Sequence, residues 1–135
     1  MTYKKPLPKP TKWSAKFWDG TKRHKLLIQK CRKCNKYIFY PKIYCTYCFS
    51  EDLEWVQSSG KGIIYSYTVV MNNPVSSFMD DIPFVIAIVE LNERVRMLSH
   101  IVGYDDMEIK CDMEVEVIFE ELNDQFTIPK FRPIK

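Results

Sequence analysis

The sequence predicts a mostly β protein, in which short N-terminal helices precede a metal-binding ribbon and a small barrel. Three observations lead to this prediction. Four of the five cysteines fall within residues 31–48 as two Cys-X2-Cys pairs. Several short segments of strand length, apolar or alternating, follow residue 52. Hydrophobic residues make up 46% of the 135 residues, which is enough for a folded core.

The N-terminal part, residues 1–28, is expected to contain an extended arm and short helices. Residues 1–11 include three prolines and three lysines and resemble an arm. Trp13, Phe17 and Trp18 have the i, i+4, i+5 spacing of one helix face. The segment 24–30 fits either a second short helix or a strand. The three aromatic side chains therefore either pack inside the fold or form a patch that faces a partner.

Residues 29–52 are predicted to form a zinc ribbon. Each Cys-X2-Cys pair can direct two sulfurs at one metal, so Cys31, Cys34, Cys45 and Cys48 supply a tetrahedral ligand set. Iron, as in rubredoxin, uses the same ligands, and two disulfides are the other alternative. The N-terminus has no apolar stretch typical of a secretory signal, so we expect a cytoplasmic protein, where metal ligation is favoured over disulfides. Four protein ligands make the metal structural rather than catalytic.

Charge is divided unevenly along the chain. Residues 1–48 contain thirteen Lys and Arg residues against one acidic residue, a net charge of +12, and residues 49–135 have a net charge of −9. The positive charge of residues 1–48 either indicates an anionic partner for this part of the chain or neutralises the negative charge of a metal–thiolate cluster. No apolar run is long enough to cross a membrane.

Residues 53–135 are predicted to form a five-stranded barrel of the OB type. Residues 84–91 are predicted to form a strand that is apolar except at Glu90, and Asn92–Glu93 can close a hairpin into a strand that alternates Val95, Met97 and Ile101 with polar residues. The loop at 74–83 places Phe78 and Met79 between turn residues, so this loop is a second candidate for contact with a partner.

The order of these segments resembles a known family. "FWDGTKRHKLLIQKCRKC", "YPKIYCTYC", "LEWVQSSGKGIIYSYTVV", "PFVIAIVELNERVRMLSHIVG" and "MEVEVIFEEL" follow one another as in the acyl-CoA-associated OB-fold family with a rubredoxin-like zinc ribbon, called domain of unknown function thirty-five. The resemblance covers roughly residues 13–132. Asn35 and Arg94 stand where the family often has glycine, and no metal ligand is replaced.

The resemblance implies a non-catalytic companion of thiolase-like enzymes. In archaea such proteins look like scaffolds that join acetoacetyl-CoA thiolase to hydroxymethylglutaryl-CoA synthase, and bacterial relatives accompany aldolases and hydratases that act on CoA thioesters. An acyl-CoA site needs cations for its phosphates, and Lys22, Arg23 and Lys25 beside the aromatic helix are candidates.

An alternative function is single-stranded nucleic-acid binding, because zinc ribbons and OB barrels both serve that purpose. The basic first part favours it. The acidic barrel argues against it, since nucleic-acid-binding OB folds follow the phosphate backbone with a positive groove. Either function makes the protein a binding module rather than an enzyme acting alone.

Overall fold

The computed structural model describes residues 7–71, 83–104 and 109–134. Over these ranges it contains one helix and eight strands. The elements are α1 Ala15–Lys22, β1 Leu27–Cys31, β2 Tyr37–Ile38, β3 Leu53–Gln57, β4 Lys61–Val70, β5 Phe84–Leu91, β6 Arg96–Ile101, β7 Glu114–Glu121 and β8 Thr127–Pro133. The mostly β prediction is confirmed, and the ambiguous segment 24–30 contains β1 rather than a second helix.

The first sheet, called here the ribbon sheet, has the antiparallel order β2-β1-β3. β3 pairs with β1 along its whole length, from Leu27↔Gln57 to Cys31↔Leu53. The predicted boundary at residue 53 assigns this strand to the barrel. It pairs with β1 instead because β1 would otherwise expose one edge with unsatisfied backbone groups.

The remaining strands form a closed barrel with the order β4-β5-β6-β8-β7, the five-stranded arrangement expected of an OB fold. Strict alternation along β5 directs Val85, Ala87, Val89 and Leu91 into the core. β6 continues the pattern with buried Met97 and Ile101, as predicted. Phe131 of β8 is fully buried and belongs to the same core cluster as buried residues of the other four barrel strands.

Gly62 allows the barrel to close. It lies where β4 pairs on one side with Leu91 of β5 and on the other with Val115 of β7. A Cβ at this position would run into the carbonyl oxygen of Glu90. Only glycine permits this close approach of neighbouring backbones.

The β5–β6 hairpin ties the barrel to the ribbon sheet. Its turn is closed by the Arg94 N–H donating to the Leu91 carbonyl at 2.8 Å, with Arg94 in the left-handed region at φ 67°. The carboxylate of Glu93, the residue before Arg94, accepts hydrogen bonds from the Ser58 hydroxyl at 2.7 Å and the Ser59 N–H at 3.0 Å. This carboxylate thus holds the linker that joins β3 to β4.

Helix α1 lies against β8 and β1, so it spans the two sheets. Phe17 on its inner face is only 5% exposed and belongs to the main core. Within the described ranges, no helix has the length and apolar character needed to cross a membrane.

Candidate functional site

The four predicted ligand cysteines converge. Cys31 ends β1, Cys34 follows in the turn, and Cys45 and Cys48 lie in the loop between β2 and β3. Their Sγ atoms all lie within 4.8 Å of one another. The Sγ atoms of Cys31 and Cys48 are 3.6 Å apart, as are those of Cys34 and Cys45. Cys31 and Cys45 are buried, and Cys34 and Cys48 are partly buried beside them.

The two cysteine pairs, called here the first knuckle (31–34) and the second knuckle (45–48), have the same backbone geometry. The N–H of Asn35 donates to the Cys31 carbonyl at 2.8 Å, and the N–H of Phe49 donates to the Cys45 carbonyl at 3.0 Å. Asn35 and Phe49 are both left-handed, with φ of 63° and 64°. Asparagine tolerates this conformation, which explains why it can replace the glycine that the family often has at position 35.

Backbone donors favour thiolates in this cluster. The N–H of Cys34 lowers the pKa of Cys31. For Cys45 burial raises the pKa, but the N–H groups of Cys48 and Tyr47 oppose it and the pKa falls to about 6. Hydrogen bonds to sulfur stabilise the charged form, so these residues are prepared to act as ligands.

Cys48 shows why the cluster needs a cation. The N–H of Ser50 lowers the pKa of Cys48, but burial and the side chains of Cys31 and Cys45 outweigh it and raise the pKa to about 11. Repulsion among four neighbouring thiolates disfavours the fully ionised cluster, and a positive ion among the sulfurs would remove this penalty.

The geometry fits a tetrahedral metal ion. Zinc–thiolate bonds of ~2.3 Å place the sulfurs of a tetrahedron ~3.8 Å apart, close to the 3.6 Å found here. The chain fills all four positions, so the metal is structural. Its chemical contribution is to hold both knuckles and the loop between them in one arrangement.

The predicted aromatic residues belong to α1 and the turn before it, and they differ in exposure. Phe17 is buried, and Trp18 packs edge-to-face on it with ring centroids 4.9 Å apart. Trp13 is 44% exposed. All three nevertheless line one groove. The other predicted contact residues, Phe78 and Met79, lie outside the described residues.

The groove has a volume of about 560 Å³ and an apolar lining. Helix α1 and the turn before it form one wall, the segment after β2 forms the second, and the seam between β6 and β8 forms the floor. Its lining residues are Lys9, Thr11, Trp13, Ser14, Phe17, Trp18, Phe39, Tyr40, Pro41, Met97, Leu98, Ser99, His100, Ile128, Pro129 and Lys130.

The floor exists because β6 and β8 barely pair. Their register consists of Ile101↔Phe131, and Pro129 has no N–H to extend the ladder. The Leu98 N–H instead donates to the Tyr40 hydroxyl at 3.0 Å. The sequence signal for this gap is Pro129 within β8, but the effect of this proline depends on which strand lies opposite.

The predicted cationic residues Lys22, Arg23 and Lys25 lie elsewhere. They are exposed at the end of α1 and in the turn after it, and none of them lines the groove. The neighbouring His24 contacts Glu121 at 3.2 Å. The structure thus does not bring these cations to the groove, and their role in CoA binding stays a prediction.

A surface that sequence reasoning missed surrounds the second knuckle. Ile43, Tyr44, Tyr47 and Phe49 are 48% to 72% exposed, and we call these four residues the knuckle patch. The rings of Tyr44 and Phe49 lie 6.1 Å apart. The available signal was the density of aromatic residues between the metal ligands, where the short loop leaves no interior to bury them.

Two family models match the chain, one over the ribbon and one over the barrel. Residues 18–54 match the model described as ChsH2, rubredoxin-like zinc ribbon domain. Residues 55–120 match the model described as ChsH2, C-terminal OB-fold domain. A solved structure, the Ltp2-ChsH2(DUF35) aldolase, includes a chain with 32% identity and a TM-score of 0.83 that covers 94% of this chain and 98% of its own length.

Curated relatives agree with these matches. A DUF35 domain-containing scaffold protein of Methanothermobacter thermautotrophicus is 39% identical over 76% of this chain and 77% of its own length. A probable enoyl-CoA hydratase alpha subunit of Thermomonospora curvata is 33% identical over 96% of this chain, which spans only 40% of that subunit. A benzoylsuccinyl-CoA thiolase subunit, BbsA of Geobacter metallireducens, is 32% identical over 65% of this chain and 57% of its own length. The chain therefore belongs to the ChsH2/DUF35 family, in which a rubredoxin-like zinc ribbon precedes an OB-fold domain.

Proposed function

We propose that this protein is a non-catalytic accessory subunit that docks a thiolase-family enzyme and helps to form or cover an acyl-CoA site. The enzymes we propose are acetoacetyl-CoA thiolase together with hydroxymethylglutaryl-CoA synthase. The relative named a scaffold protein, the one named a thiolase subunit and the Ltp2-ChsH2(DUF35) aldolase support the role of accessory subunit to an enzyme of this kind.

The observation that carries the proposal is the apolar groove with exposed aromatic residues beside it. Small-molecule sites commonly enclose roughly 300–1,000 Å³, and this groove encloses about 560 Å³. The pantetheine arm and acyl chain of a CoA thioester are long and largely apolar, so they suit such a lining. Trp13 lines this groove and also shares a smaller cavity with Ile43 and Tyr44, so the knuckle patch adjoins the groove.

The docking surface consists of the knuckle patch. Exposed tyrosine and phenylalanine side chains are large and lose little conformational entropy on binding, which makes them common at protein interfaces. The metal contributes by fixing the loop that displays them. We assign this metal as zinc, with iron as a possible substitute in the same four-thiolate site.

The reaction itself is assigned to the partner. The metal has four protein ligands, and Lys130 in the groove is paired with Glu120. We therefore assign binding and shielding of the thioester to the groove, and the nucleophile and the base to the partner. Shielding lets a second enzyme consume the product before it diffuses away, which helps an unfavourable condensation to proceed.

Co-expression tests this function directly. The protein is expressed with acetoacetyl-CoA thiolase and hydroxymethylglutaryl-CoA synthase from the same organism, and molar mass is measured by light scattering after size exclusion. We expect one stable complex in fixed stoichiometry. Separate elution of all three proteins, with tight and salt-sensitive binding of a single-stranded oligonucleotide, would support nucleic-acid binding instead.

A further inference from the structure

We propose that the cleft between the ribbon sheet and the β5–β6 hairpin is an anion site for a phosphate group. The cleft has a volume of about 320 Å³ and is separate from the groove. The ribbon side contributes Tyr37–Phe39, Lys42, Thr46 and Tyr47, and the barrel side contributes Glu90 and Arg94–Arg96.

The cleft has an excess of positive charge. Lys42, Arg94 and Arg96 line it together with one carboxylate, Glu90. Glu90 is already engaged by Arg96 at 3.3 Å. Neither Lys42 nor Arg94 has a carboxylate at ion-pair distance among the described residues. Within the described ranges, these two cations have no carboxylate partner and lie on opposite walls of one cleft, an arrangement that suits a dianionic phosphate.

The backbones that carry these cations are held in place. The buried Gln29 accepts a hydrogen bond from the Lys42 N–H at 2.7 Å and donates one to the Lys42 carbonyl at 2.8 Å. Arg94 occupies the left-handed position of the hairpin turn, a conformation that favours glycine, yet the chain has arginine there. A side chain kept at a position where glycine is easier is consistent with a role for its charge.

Aromatic rings accompany the cations. The Arg96 guanidinium lies 3.7 Å from the centroid of the Tyr65 ring, so its plane is held by stacking. Tyr47 is 59% exposed, and the Lys36 ammonium lies 4.3 Å from the centroid of its ring. A nucleotide base can stack on an exposed tyrosine, whereas a free inorganic anion cannot.

The cleft adjoins the groove, since Phe39 lines both. A ligand with a phosphate-bearing nucleotide at one end and an apolar arm at the other could occupy both at once. The assignment of the cleft to the nucleotide end of an acyl-CoA rests on the proposed function. The phosphate site itself rests only on the cleft.

Calorimetric titration at low salt tests the site with two probes, adenosine 3′,5′-bisphosphate and inorganic pyrophosphate. We expect the Lys42→Gln and Arg94→Gly variants each to weaken binding about tenfold, the effect of one charge-assisted hydrogen bond. Arg94→Gly also suits the turn, so weaker binding there is not a sign of misfolding. The control is Lys16→Gln with Lys61→Gln, which removes two exposed cations that line neither the cleft nor the groove.

The nucleotide assignment predicts that adenosine 3′,5′-bisphosphate binds more tightly than pyrophosphate and that Tyr47→Ser removes this difference. Binding of both probes with equal affinity would overturn the nucleotide assignment but support a phosphate site. No binding of either probe, or an equal loss in the control variant, would overturn the phosphate site. Complex formation with the thiolase is measured separately, so it distinguishes failure of this inference from failure of the proposed function.

Discussion

The side-chain amide of Gln29 holds the backbone of Lys42 by both of its polar ends, at 2.7 and 2.8 Å, across thirteen residues of sequence. Gln29 is 4% exposed, so its amide is buried, while Lys42 lies at the surface and the two hydrogen bonds are partly shielded from water. They fix the segment that separates the groove from the cleft. A single glutamine thus connects the ribbon sheet to both proposed binding surfaces.

Replacing this glutamine should destabilise the protein. Gln29→Leu leaves the Lys42 N–H and carbonyl without partners, which costs about 1–3 kcal/mol. We expect the melting temperature to fall by roughly 5 °C. Gln57→Leu, on the exposed end of β3, is the matched control. Equal melting temperatures for the two variants would show that the Gln29 hydrogen bonds contribute nothing.

Substituting a cysteine of the cluster should release the metal, whereas substituting Cys111 should not. Cys34→Ser removes one of four ligands, so metal content should fall well below one ion per chain and the ribbon sheet should lose its ordered structure, since a structural zinc contributes about 10 kcal/mol. Cys111 lies outside the cluster and is exposed, so Cys111→Ser should retain the metal. Elemental analysis and circular dichroism give the answer, and full metal content in Cys34→Ser would contradict the assignment.

Arg94→Gly should stabilise the fold. Arginine at φ 67° is strained, and glycine relieves this strain at a cost in chain entropy, leaving a gain of roughly 0.5–1 kcal/mol. Chemical denaturation measures this change as a higher midpoint with an unchanged slope. A lower midpoint would mean that the Arg94 side chain makes a stabilising contact in the fold.

Gly62→Ala should be strongly destabilising. The added methyl group meets backbone rather than a flexible side chain, so β4 must shift away from β5, at a cost of about 2–4 kcal/mol. Thr68→Ala, an exposed position farther along β4, should cost well under half of that. Thermal denaturation of both variants compares the two positions, and similar losses would argue against the close backbone approach.

The parts of the fold that could be predicted depend on local signals. Cysteine spacing brings four sulfurs together regardless of the rest of the chain, and alternation assigns Met97 and Ile101 to the core because its period is a property of each strand. Pairing partners are not local. Strand 53–57 has the same pattern as a barrel strand, and only its five pairs with β1 place it in the ribbon sheet.

The binding surfaces could be predicted only in part. Trp13, Phe17 and Trp18 do line the groove, but helical spacing could not say that Phe17 is buried while Trp13 is exposed. The cations singled out by sequence were those nearest to these aromatic residues along the chain. The cleft instead joins Lys42 to Arg94, and residues so distant in sequence meet only through the contact between ribbon and barrel.

The most direct test of the central claim is the affinity of the protein for its thiolase partner when the knuckle patch is altered. Ile43→Ser combined with Phe49→Asn removes two exposed apolar side chains, and asparagine suits the left-handed position of Phe49. Met71→Ser, which removes a 68% exposed residue after β4, is the control. We expect the double variant to bind the thiolase about a hundredfold more weakly and the control to bind as the unaltered protein does. Unchanged affinity in the double variant, with metal content intact, would contradict docking through the ribbon.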